Sequence, residues 1–175
     1  MIVALDLDGV IYDWEQQARV MLEPIYGPIP VSTYWHFIKD RVRKEDWNRI
    51  WKNKQMLLGG GRLVETNVLH YIRHIQLKTS KLPIVVTSRR PEAESITREW
   101  LNTMTIPFAS LHVIGEQPKT SVPFDILLDD KPEHVEETIK AGRRAFLRDQ
   151  PWNQRADLPR VADMSDFLHV LGARS

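Results

Sequence analysis

The chain has 175 residues, of which 42% are hydrophobic, so it fits one domain with at most a modest insertion. Its 24 basic and 23 acidic residues give a net charge of +1, which indicates no overall attraction to nucleic acid or anionic membrane. The absence of cysteine excludes disulfides, thiolate catalysis and cysteine-ligated zinc. The N-terminus lacks a signal-peptide pattern and no stretch approaches ~20 apolar residues, so we expect a soluble cytoplasmic protein without a membrane partner.

The first predicted element is a strand at residues 2–5, a short apolar run that ends at Asp6. A continuous run of this length is typical of a central strand of a parallel sheet, buried on both faces. The next segment, residues 12–61, contains four of the six tryptophans, has no strand pattern and ends in Gly59-Gly60-Gly61. We interpret it as a small helical insertion with a glycine hinge, while the glycines fit a helix end followed by a loop equally well.

The rest of the chain alternates between helical and strand-like patterns. Helical patterns lie near residues 65–77, 91–103 and 132–141, and apolar runs lie at 84–86, 111–114, 126–128 and 145–147. Pro91 and Pro132 fit the first turns of the second and third of these helices. This alternation predicts an α/β fold with a parallel sheet.

Three of the apolar runs end in groups that can carry chemistry. These groups are Asp6-Leu7-Asp8-Gly9, Thr87-Ser88-Arg89 and Asp129-Asp130, and Lys119 lies in the loop before the last of them. Ligands of open α/β sheets bind beyond the carboxyl ends of the strands. We therefore expect these side chains to converge on one crevice.

The chemistry of this set suits phosphoryl transfer, which depends mainly on positioning and charge stabilisation. A carboxylate can attack phosphorus as a covalent nucleophile, and an ammonium and a hydroxyl group can bind phosphate oxygens. Crowded carboxylates need a cation between them, and oxygen ligands without cysteine favour magnesium over zinc. The sequence therefore predicts a small phosphate ester as substrate and Mg²⁺ as cofactor.

The sequence resembles the haloacid dehalogenase (HAD) superfamily in four motifs, which are Asp6-Leu7-Asp8-Gly9-Val10, Thr87, Lys119 and Asp129-Asp130. All four occur in the order of that superfamily, each at a strand end or in a loop. The resemblance implies a Rossmann-like HAD core at residues 1–11 and 62–175. It also implies a helical cap at residues 12–61, inserted after the first strand.

The resemblance implies a role for each motif residue, and the enzyme would be a HAD-type phosphatase. Asp6 would attack phosphorus to form an aspartyl-phosphate, and Asp8 would protonate the leaving oxygen and then activate water. Thr87 would bind the phosphoryl oxygens, and Lys119 would hold phosphate and nucleophile together. The implied magnesium ligands are Asp6, the backbone carbonyl of Asp8, Asp129 and, through water, Asp130.

A narrower resemblance is to the 5′(3′)-deoxyribonucleotidase branch, which also opens on Asp-x-Asp-Gly-Val and carries a motif similar to 128–132. It implies a 5′-nucleotidase acting on (deoxy)nucleoside monophosphates. The chain departs from that branch after Ser88, where Arg89 and Arg90 precede the expected proline. This leaves open a 3′-phosphatase acting on nucleic-acid ends. A larger binding groove would support it, with contributions from Arg89, Arg90, Arg41, Arg43 and Lys44. A catalytically inactive HAD-fold binding module is the third alternative, and the intact motif set argues against it.

Residues expected to bind the substrate lie beside the second motif and in the insertion. Ser88 follows Thr87, and Arg89 is expected to meet a phosphate or sugar oxygen. Every base presents a π-face, so aromatic residues of the insertion can stack on a nucleobase or form its core instead. The candidates for stacking are Tyr34, Trp35 and Phe37. Residues 151–153 either border the crevice or only turn the chain, and the sequence leaves the oligomeric state open.

Overall fold

A computed structural model describes residues 1–172, so the last three residues of the predicted core range lie outside the described residues. Six strands form one sheet in the order β3-β2-β1-β4-β5-β6, and every neighbouring pair is parallel. The strands are β1 (Val3–Leu5), β2 (Ile84–Thr87), β3 (Leu111–Val113), β4 (Ile126–Asp129), β5 (Arg144–Arg148) and β6 (Arg160–Val161). The predicted α/β fold with a parallel sheet is confirmed.

Helices cover both faces of this sheet. The described residues contain α1 (Trp14–Tyr26), α2 (Lys44–Lys52), α3 (Lys54–Gly59), α4 (Val68–Thr79), α5 (Glu94–Thr103), α6 (Pro132–Lys140) and α7 (Met164–Gly172). Short 3₁₀ turns lie at Lys39–Arg41, Pro91–Ala93 and Lys119–Ser121. The helix predicted at 91–103 is therefore a 3₁₀ turn followed by α5, and β6 and α7 are elements that the sequence patterns did not indicate.

The alternation of side chains along β1 separates two hydrophobic layers. Val3 and Leu5 pack in a cluster that contains residues of α4, α5 and α7, such as Ile72, Leu101 and Phe167. Ala4 packs on the other face in a second cluster, which contains Val135 of α6. The strand is buried on both faces, which explains why its sequence is a continuous apolar run.

Residues 12–61, which we call the helical segment, contain α1, α2 and α3 around a third hydrophobic cluster. Leu22, Phe37, Ile50 and Leu57 belong to that cluster. The division of the chain into a core and a cap at residues 11 and 62 stays a prediction. In residues 1–172, no helix has the length and apolar character that crossing a membrane would require.

Tyr12 joins the two ends of the helical segment. Its hydroxyl donates to the carbonyl of Leu57 at 2.7 Å and accepts from the backbone N–H of Gly61 at 2.9 Å. A Cβ at Gly61 would lie 2.4 Å from the Tyr12 ring, so the third glycine is required for close approach of the backbone. Helix α3 ends at Gly59, which fits the interpretation of the triple glycine as a helix end followed by a loop.

We expect Tyr12→Phe to destabilise the protein by ~1–3 kcal/mol, because a buried carbonyl and N–H lose their shared partner. Urea unfolding of the wild type and the variant measures this change. Tyr71→Phe, at a half-buried tyrosine of α4, is the matched control and should stay within ~0.5 kcal/mol of the wild type. Equal stability of Tyr12→Phe and the wild type would show that these hydrogen bonds do not hold the segment ends.

Candidate active site

The site lies at the carboxyl ends of the three central strands. β1 pairs with β2 on one side and with β4 on the other, so the strand order reverses at β1. Asp6 follows β1, Thr87 ends β2 and Asp129 ends β4. A crevice forms outside the carboxyl ends of strands at such a switch point. The parallel sheet therefore brings the three predicted motifs together.

Lys119 lies at the centre of the buried charges. Its side chain is fully buried, and its ammonium group donates to Asp6 Oδ1 and to the carbonyl of Val86 at 2.5 Å. It also forms an ion pair with Asp129, whose Oδ2 lies 3.1 Å from the ammonium nitrogen. The 3₁₀ turn Lys119–Ser121 carries the lysine to this position. The predicted third motif thus contacts the first and the fourth.

Three carboxylates lie close together here, two of them in contact with this lysine, and can serve as metal ligands. Asp6, Asp129 and Asp130 are buried, and one carboxylate oxygen from each lies within 4.8 Å of the others. Among residues 1–172, Asp130 Oδ1 is a buried oxygen without a hydrogen-bond partner. A hard divalent cation such as Mg²⁺ takes oxygen ligands of this kind, so the donor set fits the predicted cofactor.

The ionisation of these groups is strongly coupled to their burial. Burial raises the pKa of Asp6 to about 6, although the charge of Lys119 opposes this rise. Burial and the neighbouring carboxylates Asp129 and Asp6 raise the pKa of Asp130 well above its ordinary value. Burial also disfavours the charge of Asp129, but Lys119 and His134 together outweigh it and lower the pKa of Asp129 to about 2. The excess of negative charge indicates a site that is stabilised by a cation.

Asp130 is held from a part of the chain that the sequence left undecided. Trp152 Nε1 donates to Asp130 Oδ2 at 2.9 Å, and Asn153 Nδ2 donates to the Asp130 carbonyl at 2.8 Å. Gly9, at φ +82°, lies so close that an added Cβ would be 2.1 Å from Asp130 Oδ2. Residues 151–153 therefore border the crevice, and only a glycine fits at position 9.

Asp8 lies apart from the three-carboxylate cluster, and its side chain is bound by Arg89. Arg89 Nη2 donates to Asp8 Oδ1 at 2.7 Å, and Arg89 Nε donates to Asp8 Oδ2 at 2.9 Å. The sequence predicted that Arg89 contacts the substrate, whereas the structure directs its guanidinium group to Asp8. Sequence patterns cannot reveal this pair, because 81 positions separate the two residues.

Solved structures with a similar fold cover nearly the whole chain. The HAD hydrolase YfnB from Bacillus subtilis, bound to magnesium, has a TM-score of 0.67 at 13% identity and covers 98% of both chains. A HAD phosphatase from Thermococcus onnurineus has a TM-score of 0.64 at 11% identity, over 98% of this chain and 97% of its own. CbbY from Rhodobacter sphaeroides, in complex with phosphate, has a TM-score of 0.59 at 13% identity, over 95% of this chain and 96% of its own.

The chain has the HAD fold. No protein-family model and no curated protein sequence matches it, so the likeness is one of structure. The narrower resemblance to the deoxyribonucleotidase branch stays a prediction.

Two clefts flank the carboxylates of this HAD fold. The first has a volume of about 610 Å³ and is bordered by Ser88, Lys131 and His134. The second has a volume of about 490 Å³ and is bordered by Gly9 and Trp152. Thr87 itself is buried, and its hydroxyl oxygen accepts from the Arg89 backbone N–H at 3.2 Å. Ser88 is exposed in the first cleft, where a substrate can reach it.

The three aromatic residues predicted to stack on a base differ in their surroundings. Trp35 is 48% exposed, and the Nζ of Lys131, which borders the first cleft, lies 5.5 Å from the centre of the Trp35 ring. Tyr34 is also exposed and packs edge-on against Phe37. Phe37 is 4% exposed and lies in the core of the helical segment. A substitution of Phe37 would therefore act first through packing.

His134 was not among the predicted site residues. Its Nδ1 lies 3.0 Å from Asp129 Oδ2, the carboxylate oxygen that Lys119 also contacts. The residue lies in the first turn of α6, five positions after Asp129. A polar residue in the first turn of the helix that follows a strand-end aspartate is the signal that would have indicated His134.

The raised pKa of Asp6 predicts a pH-dependent stability of the protein in EDTA. The folded protein binds this proton more tightly than the unfolded chain, whose pKa is near 3.8, so the stabilisation is lost as pH rises through about 6. Because Asp6→Asn removes this titration, its free energy of unfolding relative to the wild type should rise by ~1–3 kcal/mol between pH 4 and pH 7.

Urea unfolding at several pH values measures this difference. Asp157→Asn, at an exposed aspartate, is the control and should show a constant difference from the wild type. A difference for Asp6→Asn that does not change with pH would contradict the raised pKa.

Proposed function

We propose that the protein is a magnesium-dependent phosphomonoester hydrolase that acts through an aspartyl-phosphate at Asp6. One observation carries the proposal: the buried Asp6 carboxylate contacts Lys119 and lies within ligand distance of Asp129 and Asp130. This is the set of charges that a phosphoryl group requires, placed where ligands of α/β sheets bind. The similarity in fold to HAD hydrolases and phosphatases supports it.

Asp6 is the proposed nucleophile. Lys119 binds its Oδ1, which leaves Oδ2 to attack phosphorus and form the aspartyl-phosphate. The ammonium group of Lys119 opposes protonation of Asp6 and would also neutralise charge on the phosphoryl oxygens. Thr87 and the exposed Ser88 would donate hydroxyl hydrogen bonds to those oxygens.

Asp6, Asp129, Asp130 and the backbone carbonyl of Asp8 would hold Mg²⁺. When bound, the cation supplies positive charge that brings the anionic substrate and the anionic nucleophile together. Trp152 fixes one oxygen of Asp130 and leaves the other, Oδ1, free to face such a ligand.

Asp8 is the proposed acid and base. It would give a proton to the leaving oxygen as the bond to phosphorus breaks, and it would then take a proton from the water that hydrolyses the aspartyl-phosphate. Its side chain is 27% exposed, so solvent and substrate can reach the carboxyl group.

The leading substrate class is (deoxy)nucleoside monophosphates. Trp35 presents an exposed ring beside Lys131 at the rim of the cleft that also contains Ser88. A nucleobase can stack on the ring while the phosphate occupies the carboxylate end of the crevice. The generic phosphoryl chemistry does not select a substrate, so residues at this rim are expected to do so.

A second candidate is a 3′-phosphatase on nucleic-acid ends, which the charge of the helical segment favours. Residues 31–54 contain seven Lys or Arg and three Asp or Glu side chains, a net charge of +4 in a chain whose total is +1. All seven basic side chains are exposed. Such a segment can contact the backbone of an oligonucleotide, and this binding would weaken with added salt.

The proposed chemistry predicts that purified protein hydrolyses p-nitrophenyl phosphate with Mg²⁺ and stops in EDTA. Asp6→Asn should abolish turnover, and Asp8→Asn should reduce it by ~10²–10⁴-fold because no carboxylate then takes a proton from the water that hydrolyses the aspartyl-phosphate. Asp157→Asn removes an exposed carboxylate that belongs to none of the four motifs, and it should keep the wild-type rate. Steady turnover by Asp6→Asn, or full activity in EDTA, would refute the covalent, metal-dependent mechanism.

Selectivity is tested by comparing nucleoside monophosphates with p-nitrophenyl phosphate. Loss of base stacking is worth ~1–3 kcal/mol, so Trp35→Ala should lower kcat/KM for a nucleotide by about 5- to 150-fold and affect p-nitrophenyl phosphate much less. Tyr34→Ala is expected to act in the same direction. Trp51→Ala, at another exposed tryptophan of the segment, is the matched control.

Equal losses on the two substrates would assign Trp35 to folding of the helical segment. A 3′-phosphorylated oligonucleotide is the third substrate of this comparison. If it exceeds every mononucleotide in kcat/KM and loses this advantage at high salt, the second candidate replaces the first.

A further inference from the structure

Arg89 is a buried arginine whose contacts lie within the protein. The side chain is 4% exposed and makes four hydrogen bonds to described residues. Two go to Asp8, as given above, and Nη1 donates to the carbonyl of Leu58 at 2.9 Å and to Thr97 Oγ1 at 3.0 Å. The guanidinium carbon also lies 4.7 Å from the centre of the Tyr12 ring. Little of its donor capacity is left for a substrate.

The pairing with Asp8 restrains the direction of that carboxylate. Two parallel N–H···O bonds from a planar guanidinium group fix both oxygens of a carboxylate, which a single donor cannot do. A carboxylate has about four lone-pair sites, so two remain available for a proton. The contact therefore orients Asp8 without blocking proton transfer.

The other contacts of Arg89 connect Asp8 to the helical segment. Leu58 belongs to α3 and lies one residue before the end of that helix at Gly59. Thr97 belongs to α5 and is fully buried. One Arg89 side chain therefore connects three parts of the chain: the loop after β1 that contains Asp8, the last turn of α3, and helix α5.

We infer that Arg89 is a positioning residue for Asp8, which it orients for proton transfer and ties to the end of α3. The inference rests on the proposed role of Asp8 as acid and base. Arg89 acts through Asp8 and does not itself bind the phosphate ester.

Leaving-group dependence distinguishes this role from a general effect on the fold. p-Nitrophenolate leaves readily without a proton, whereas the alkoxide of glycerol 2-phosphate requires one from the general acid. Arg89→Met should therefore lower kcat/KM for glycerol 2-phosphate ~10- to 100-fold more than for p-nitrophenyl phosphate, through kcat and not KM. Arg73→Met, at an exposed arginine of α4, is the matched control and should leave kcat/KM for both esters unchanged.

Arg89→Lys provides a second variant if Arg89→Met does not fold. It keeps the charge but cannot contact both oxygens of Asp8 in the same plane. We expect the same dependence on the leaving group, with a smaller loss. Circular dichroism and thermal unfolding establish that each variant is folded before its kinetics are compared.

A double-mutant cycle then tests whether Arg89 acts through Asp8. With glycerol 2-phosphate as substrate, on which Arg89 substitution costs most in the wild-type background, either Arg89 substitution in the Asp8→Asn background should cost less than about 3-fold, because the group that it positions is already absent. Additive losses, or equal losses on both esters, would overturn the positioning role. A wild-type protein that hydrolyses neither ester contradicts the proposed function itself, and the positioning role with it.

Discussion

The ion pair of Lys119 with Asp6 and Asp129 is the interaction on which the site depends. An ammonium group without solvent contact is costly unless carboxylates surround it, and buried carboxylates are costly without a cation. Each partner therefore requires the others. Burial and the neighbouring carboxylates raise the pKa values of Asp6 and Asp130, and Lys119 compensates only part of the negative charge that Asp6, Asp129 and Asp130 bring together. The remaining imbalance accounts for the affinity that we assign to a divalent cation.

The sheet makes this concentration of charge possible. Three short strands, each buried on both faces, end at the same level, and the polar residues at their carboxyl ends lie in one crevice. Gly9 permits the close contact of the first loop with Asp130, and Trp152 supports that carboxylate from the loop after β5. The close-packed apolar layers on both faces of the sheet fix the ends of the strands, and the two loops then hold the carboxylates.

The sequence was sufficient for the elements whose signal is local. Apolar runs and prolines indicated β1 to β5 and the helices between them, and strand-end residues indicated the carboxylate cluster. β6 has two residues and carries no periodicity. Contacts between residues far apart in the chain could not be predicted from the sequence, such as the pairing of Arg89 with Asp8. Differences in burial could not be predicted either, since Phe37 is buried and Trp35 is exposed although both are aromatic. Residue type indicates what a side chain can do, whereas only the fold shows which partner it meets.

The hydrogen bond between Lys119 and Asp6 joins residues 113 positions apart, and this separation affects how the protein acquires its activity. Closing such a long loop lowers the conformational entropy of the chain, and the pairing of β1 with β4 offsets this loss. We therefore expect the two strands to pair before the ammonium group contacts its carboxylates. In a nascent or partly unfolded chain the site residues would not lie together, and the chain would be inactive. Recovery of turnover during refolding would therefore coincide with completion of the sheet, which makes the active site a reporter of native topology.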